Sequence, residues 1–276
     1  MNYRHAYHAG GIADLLKHAI LMLLIERLKV KEKPWFLLDT HAGIGLYDLS
    51  GVEAIKTGEF QTGIGALVAS PSPGPILTSY LELVRRFNAD GAIRFYPGSP
   101  AIAANLKRPE DRVVLCELHP DDYETLRTAL PRTSNLSFHR SDGYAALKAF
   151  LPPQERRGLV LIDPPFEDRE EFRHLIDGMT LAWKRWPTGQ YALWYPIKDR
   201  AQIDRFHAEL GVFGKVLAVE FLPEAVDEPE RLNGSGLILI NPPWQIDLDI
   251  RALLDELKSA LDLPAARTRV TWIAEA

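Results

Sequence analysis

Leu159-Val-Leu-Ile-Asp163-Pro164-Pro165-Phe166 runs from four apolar residues straight into a carboxylate, two prolines and an aromatic ring. Such an apolar run reads as a buried strand, so the acid would stand at the carboxyl edge of a sheet, where open α/β sheets take ligands. The two prolines stiffen the turn and remove two N–H donors, leaving backbone carbonyls to face a ligand. This combination suits chemistry on the exocyclic amine of a base, a poor nucleophile because its lone pair is delocalised into the ring. Asp163 and the Pro164 carbonyl can accept the two amine hydrogens and localise that pair, and the carboxylate can take up a proton. Phe166 offers a face on which a planar ring can stack.

Leu237-Ile-Leu-Ile-Asn241-Pro242-Pro243-Trp244 repeats the form with an amide in place of the acid. Both segments cannot hold one substrate. Counted from Asp39, Asp163 ends the fourth strand, which neighbours the first in a doubly wound sheet and borders the ligand crevice. Asn241 ends a late strand expected to be antiparallel, so catalysis is assigned to Asp163 and a structural role to Asn241.

A glycine loop, Asp39-Thr-His41-Ala-Gly43-Ile-Gly45, follows the first strand and permits close backbone approach to a ligand. It lacks the full GxGxxG of dinucleotide enzymes. Glu117, closing the second strand, could bind ribose hydroxyls. Asp142-Gly143 after the third fits a contact to an adenine moiety, and equally a helix start. Together these point to an adenosine-bearing cofactor lying across the strand ends. Four of the eight histidines (His5, His8, His18, His41) fall in the first 41 residues, among Tyr3, Arg4, Tyr7 and Lys17. Their spacing matches no metal-ligand pattern, so no metal is expected. Base stacking and phosphate contact suit this segment better. His119, His139, His174 and His207 are expected at the surface or in turns, and Cys116 in a buried strand. The basic pairs Arg85-Arg86, Lys107-Arg108, Arg156-Arg157 and Lys184-Arg185 read as solvated surface unless the fold gathers them.

To position these groups, short apolar runs at 35–39, 113–117, 136–139, 159–163, 191–195, 216–222, 237–241 and 270–273 predict strands. Amphipathic stretches between most of them predict helices, the clearest through Ile12, Leu15, Leu16, Leu23, Leu24 and Leu28. The alternation predicts an α/β fold with a mainly parallel sheet covered on both faces, and an antiparallel pair from 216–222 and 237–241. Glu117 follows Asp39 by 78 residues, about 50 more than a compact nucleotide-binding unit requires. The surplus predicts a helical insertion over 48–97, with 1–47 and 98–276 forming the main domain. Hydrophobic residues are 46% of the 276, with a longest apolar run of seven, which excludes disorder and falls well short of the roughly 20 needed for a membrane span. No secretory leader is recognisable and the single cysteine excludes a disulfide framework, so a cytoplasmic protein is expected; a monomer is expected as well. Net charge is −5, yet the first 35 residues are +3 and residues 219–276 are −6, so a polyanion would approach the N-terminal side.

The chain resembles the bacterial 23S ribosomal RNA adenine-N6 methyltransferase J family. The resemblance is carried by Tyr3-Arg-His-Ala-Tyr-His-Ala-Gly10 with Asp14, Lys17 and His18, by Leu38–Gly43, and by Phe95–Pro100 and Glu117–Pro120. It continues through Arg156–Pro165, Tyr191–Pro196 and Ile240–Trp244. It implies a Rossmann-like methyltransferase using S-adenosylmethionine, with a small helical insertion after the first strand. It also implies cofactor contacts from His18, His41, Gly43, Ser99, Glu117, Asp142, Gly143 and Asp163, with Asp163 as proton acceptor. Tyr3, Arg4, His5, His8 and Lys17 would face the RNA, and the target would be adenine 2030 of 23S rRNA. The family's motif usually ends in tyrosine where Phe166 stands. Asp-Pro-Pro-Phe also resembles guanine-N2 rRNA methyltransferases, and the same chemistry suits DNA adenines and glutamine amides.

Overall fold

The computed structural model describes residues 4–228 and 231–275. Eight strands form one sheet in the order β10-β8-β9-β7-β6-β1-β4-β5. They are β1 (Phe36–Asp39), β4 (Arg112–Glu117), β5 (Leu136–Arg140), β6 (Gly158–Ile162), β7 (Gln190–Ile197), β8 (Val216–Leu222), β9 (Gly234–Ile240) and β10 (Arg267–Ala274). The five strands β5, β4, β1, β6 and β7 run parallel. β9 pairs antiparallel with both β7 and β8, and β10 antiparallel with β8. The expected Rossmann-like architecture is therefore present, and its antiparallel end includes the predicted pair.

Helices cover both faces. On one lie α1 (Ile12–Lys29), α4 (Pro75–Arg85), α5 (Ser99–Leu106), α6 (Pro120–Ala129) and α10 (Ile246–Ala260). On the other lie α7 (Gly143–Phe150), α8 (Glu171–Arg185) and α9 (Arg200–Leu210). The inner parallel strands β1, β4, β6 and β7 are buried on both sides over most of their length and are mainly apolar, β6 at every position, whereas the edge strand β5 is buried only at Leu136. No helix among the described residues is long and apolar enough to cross a membrane.

α1 departs from the amphipathic expectation. Its residues from Asp14 to Met22 are all buried, polar ones included. The sheet lies on one side of it, and α4, α5 and α10 crowd the others. The polar trio Asp14, Lys17 and His18 at helical spacing i, i+3, i+4 is thereby carried inside the protein on one stretch of helix.

Two short strands stand beyond the eight expected from the sequence. β2 (Leu46–Asp48) and β3 (Phe95–Pro97) pair antiparallel and bring the two ends of the 48–97 segment together. Between them stand α2 (Val52–Thr57), a π-helical turn at Gln61–Gly65, α3 (Ala66–Ala69) and α4. α4 shares the core of the main sheet through Leu77, Tyr80, Leu81 and Val84. The Glu256 carboxylate on α10 accepts the N–H groups of Ile76 (3.3 Å) and Leu77 (2.9 Å), capping α4 from a distant part of the chain. The N-terminal residues lie on the same segment. The Gly10 carbonyl accepts the Ile64 N–H at 2.8 Å, and a Cβ on Gly63 would fall 2.0 Å from that oxygen, so the close approach requires glycine.

Candidate active site

All five parallel strands end at one edge, and a cleft of about 1130 Å³ opens there. His5, His8, Lys17, His18, His41, Gly43, Ser99, Glu117, Asp142, Gly143, Asp163, Pro164 and Phe166 all line it. Tyr3 lies outside the described residues. Arg4 is exposed and borders a smaller neighbouring hollow with Tyr47 and Glu53.

Glu117 closes β4 with one carboxylate oxygen accepting the Gly43 N–H and the other the His119 N–H, both at 2.8 Å. Burial nonetheless raises its pKa above the usual carboxylate range, against those two N–H groups. Gly43 has φ +60°, and a Cβ there would meet the Tyr47 hydroxyl at 2.5 Å. Asp142 caps α7 by accepting the Ala145 N–H at 2.8 Å. At Gly143 a Cβ would stand 2.5 Å from the Thr40 carbonyl and 2.7 Å from the His41 ring, so backbone and imidazole meet there with no room for a side chain.

Asp39, at the tip of β1, is fully buried and accepts the Ser99 hydroxyl at 2.6 Å. Burial pushes its carboxyl up to about 7, the Asp163 charge adding to that and the Ser99 bond opposing it. Burial brings His41 down to about 4 and His18 to about 3, so both imidazoles are neutral at neutral pH. His18 Nδ1 lies 2.9 Å from the Tyr96 hydroxyl, itself 2.7 Å from the Tyr80 hydroxyl on α4.

Asp163 stands one residue past β6, beside β1. Lys17 Nζ donates to its Oδ2 at 2.6 Å and lies 3.0 Å from Asp14 Oδ1. The Lys17 side chain is 4% exposed. Lys17 is expected from the sequence among the residues that face the RNA. The structure instead holds it inside, because α1 is enclosed and two carboxylates neutralise the ammonium. Asp14 also accepts the Gly10 N–H and bonds His5, and against its burial the interactions with His5 and Lys17 hold its carboxyl well below the usual range. His8 pairs with Glu59 at 2.8 Å.

Phe166 occupies the left-handed region at φ +51°, unusual for a side chain of its size and a conformation that clusters at functional sites. Its ring packs edge-on against Phe172 and Trp194. Asn241 also has positive φ, but its amide donates to the carbonyls of Pro187 (2.8 Å) and Gly189 (2.9 Å), at the start of β7 and the opposite edge of the sheet.

Asp14, Trp194, Tyr96 and Tyr80 were not singled out from the sequence as site residues. The i, i+3, i+4 spacing of Asp14, Lys17 and His18 was the available clue for the first. His207 corrects the expectation of a surface position. It is buried beside Tyr195 (2.9 Å) and held down to about 4 by that burial. Cys116 is buried in β4 as expected, and burial pushes its thiol up to about 12.

A doubly wound sheet with a glycine turn after β1, an acid ending β4 and an Asp-Pro-Pro-aromatic turn after β6 defines a class I methyltransferase type of architecture. Comparison with known proteins narrows the class. The family model described as "Ribosomal RNA large subunit methyltransferase D, RlmJ" matches residues 32–274. The chain is 42% identical over 277 residues to Ribosomal RNA large subunit methyltransferase J of Escherichia coli K12, covering 99% of each. It is 41% identical to the protein of the same name from Haemophilus influenzae, covering 95% of this chain and 94% of that one. A crystal structure of a Legionella pneumophila protein superposes with TM-score 0.87 at 32% identity, over 96% of this chain and 98% of that one. The chain belongs to the RlmJ family.

Proposed function

We propose that this protein, a large-subunit rRNA methyltransferase by family, methylates the exocyclic N6 amine of adenine 2030 in 23S rRNA. The observation that carries the amine-methylating part of this reading is Asp163-Pro-Pro-Phe166 at the end of β6, sharing one cleft with Glu117 and Asp142-Gly143 at the neighbouring strand ends, while adenine 2030 is carried over from the family resemblance. Residues 1–47 and 98–276 would form the methyltransferase domain, acting as a cytoplasmic monomer, with 48–97 the insertion that seats the N-terminal segment.

The residues present fit an adenosine-bearing cofactor. Glu117 spends one acceptor site per oxygen on backbone N–H groups and retains capacity for a pair of vicinal hydroxyls. The cradles at Gly43 and Gly143 are ones a Cβ would fill. Glu117 would hold the ribose, Asp142 and Gly143 the adenine, and His18, His41, Ser99 and Asp163 the remainder. When bound, S-adenosylmethionine supplies an electrophilic methyl group.

The protein's own work is positioning and proton handling. Asp163 and the Pro164 carbonyl accept the amine hydrogens, which directs the nitrogen lone pair outward, and Asp163 takes the proton that the methylated nitrogen releases. Lys17 anchors one Asp163 oxygen, and Asp14 anchors Lys17 from behind. Phe166, backed by Phe172 and Trp194, supports a base that has left its stack, at a cost of a few kcal/mol. His5 and His8 from the cleft lining, and Arg4 beside the neighbouring hollow, would meet the RNA. Radiolabelled methyl transfer to unmodified 23S rRNA with nucleoside analysis tests this, with N6-methyladenosine at position 2030 expected. N2-methylguanosine would overturn the base assignment, and absence of label in RNA would overturn the substrate class.

A further inference from the structure

The two edges of the parallel sheet carry opposite charge. The segments that leave the five parallel strands at the cleft (residues 40–45, 118–122, 141–142, 163–170 and 198–199) contain eight acidic and two basic residues. The segments that lead into the same strands (30–35, 107–111, 130–135, 151–157 and 184–189) contain nine basic and four acidic ones. Three of the four basic pairs in the chain are gathered there by topology alone, because each precedes a parallel strand. The catalytic edge is thus net negative around a cleft that must admit a polyanion, and the attractive field lies at the opposite edge.

The basic edge is built and accessible. Lys31, Lys33, Arg132, Arg156, Lys184 and Arg185 are exposed, against the exposed acids Glu32 and Glu110. Asp111 is buried under Arg108, and Glu155 is paired with Arg112. The Arg108 guanidinium donates to the carbonyls of Lys31 and Lys33, and Arg157 to those of Lys33 and Leu28. These two clamps fix the loop that displays the Lys31 and Lys33 ammonium groups. At about 4.8 Å per strand the five strands span about 19 Å, over which one nucleic acid strand presents about five or six phosphates.

We propose that this edge, from Lys184 and Arg185 across Arg156, Lys31 and Lys33 to Arg132, is a second RNA-binding surface that holds the phosphate backbone of the substrate away from the target base. The proposal rests on the rRNA reading above and adds to it a division of labour. The cleft reads the base, and the opposite edge supplies the salt-dependent affinity that its acidic rim cannot. Large rRNA then engages both edges, and a short RNA only one.

The test combines Lys31→Glu, Arg132→Glu, Arg156→Glu and Lys184→Glu, with Arg205→Glu at an exposed position of α9 as the control and a matching glutamine set to limit repulsion within the fold. Binding of unmodified 23S rRNA is measured across a salt series, alongside methyl transfer to a short hairpin carrying the target adenine. Removal of four phosphate-binding cations is expected to lower the slope of log K against log salt by about 3 and affinity for the long RNA by about 30-fold or more at low salt. The glutamine set gives the same direction, while hairpin turnover, cofactor affinity and the control stay unchanged. Unchanged affinity and slope for the long RNA in both sets would overturn the proposal, as would equal losses on the hairpin and the long RNA. Absence of methyl transfer to any RNA by the unsubstituted protein would instead refute the rRNA reading, and the salt series reports on the edge independently of turnover.

Discussion

Asp39 offers a quantitative test of how the site is buried. Its carboxyl is 0% exposed and lifted from 3.8 to about 7, chiefly by burial. A carboxyl raised in the folded state binds its proton more tightly there, so folding stability falls as pH rises from about 4 through 7. At 1.36 kcal/mol per unit the loss is about 4 kcal/mol. Neutral imidazoles work in the other direction. His18 at about 3, His41 at about 4 and His207 at about 4 add stability as pH rises toward 6.5, and Asp39 is not among the causes of any of these shifts. Asp39→Asn removes the carboxyl and leaves the histidine contribution in place. Whatever fixed offset the amide brings, the stability difference between variant and parent should move by about 4 kcal/mol in the variant's favour between pH 4 and pH 8. Urea unfolding of both proteins at pH 4, 5.5 and 8 measures it. A difference flat in pH to within about 1 kcal/mol would refute the argument that burial beneath the cleft raises the pKa of this carboxyl.

Asp163→Ala is expected to abolish methyl transfer while cofactor titration still shows binding, whereas Asn241→Ala keeps both activities. The latter loses about 1–3 kcal/mol of stability by urea unfolding, since two carbonyls lose their donor. Tyr96→Phe leaves the Tyr80 hydroxyl and His18 Nδ1 without their partner in a buried place. We expect a loss of about 2–4 kcal/mol together with weaker cofactor affinity, and calorimetry with melting curves checks both. Gly143→Ala drives a methyl group against the Thr40 carbonyl, which cannot swing aside as a side chain could. Cofactor affinity should fall at least about tenfold, and an unchanged dissociation constant would show that the α7 terminus does not border the cofactor.

Much of this was readable beforehand because the cues were local and strong. The strand of Leu159–Ile162 is apolar throughout, and Pro164 and Pro165 end it abruptly. Asp142 and Gly143 work as a cap and a close approach, both of which depend on residue type. Lys17 and Asp14 were harder, since their meaning depends on what surrounds α1. A lysine on a helix is ordinarily solvated, and only packing of α4, α5 and α10 around that helix encloses it. Tyr80, Tyr96 and His18 come from α4, β3 and α1, up to 78 residues apart, and no periodicity reports such a meeting. β2 and β3 went unseen because three-residue strands leave no alternation to count.

Strand direction explains why two near-identical tetrapeptides have different environments. Asp163 and Asn241 both follow buried strands, and Phe166 and Asn241 both take positive φ. β6 runs parallel to β1 and delivers its turn to the edge where Gly43, Glu117 and Asp142 also emerge. β9 runs antiparallel to β7, pairing Ile240 with Tyr191, and delivers its turn to the far edge. There the side chain meets the backbone carbonyls of Pro187 and Gly189, and an amide can donate to both where an ionised carboxylate could only repel them. Aspartate at 163 meets the reverse situation, a lysine ammonium on one oxygen. The acid at one turn and the amide at the other therefore follow from the direction of the strands that carry them.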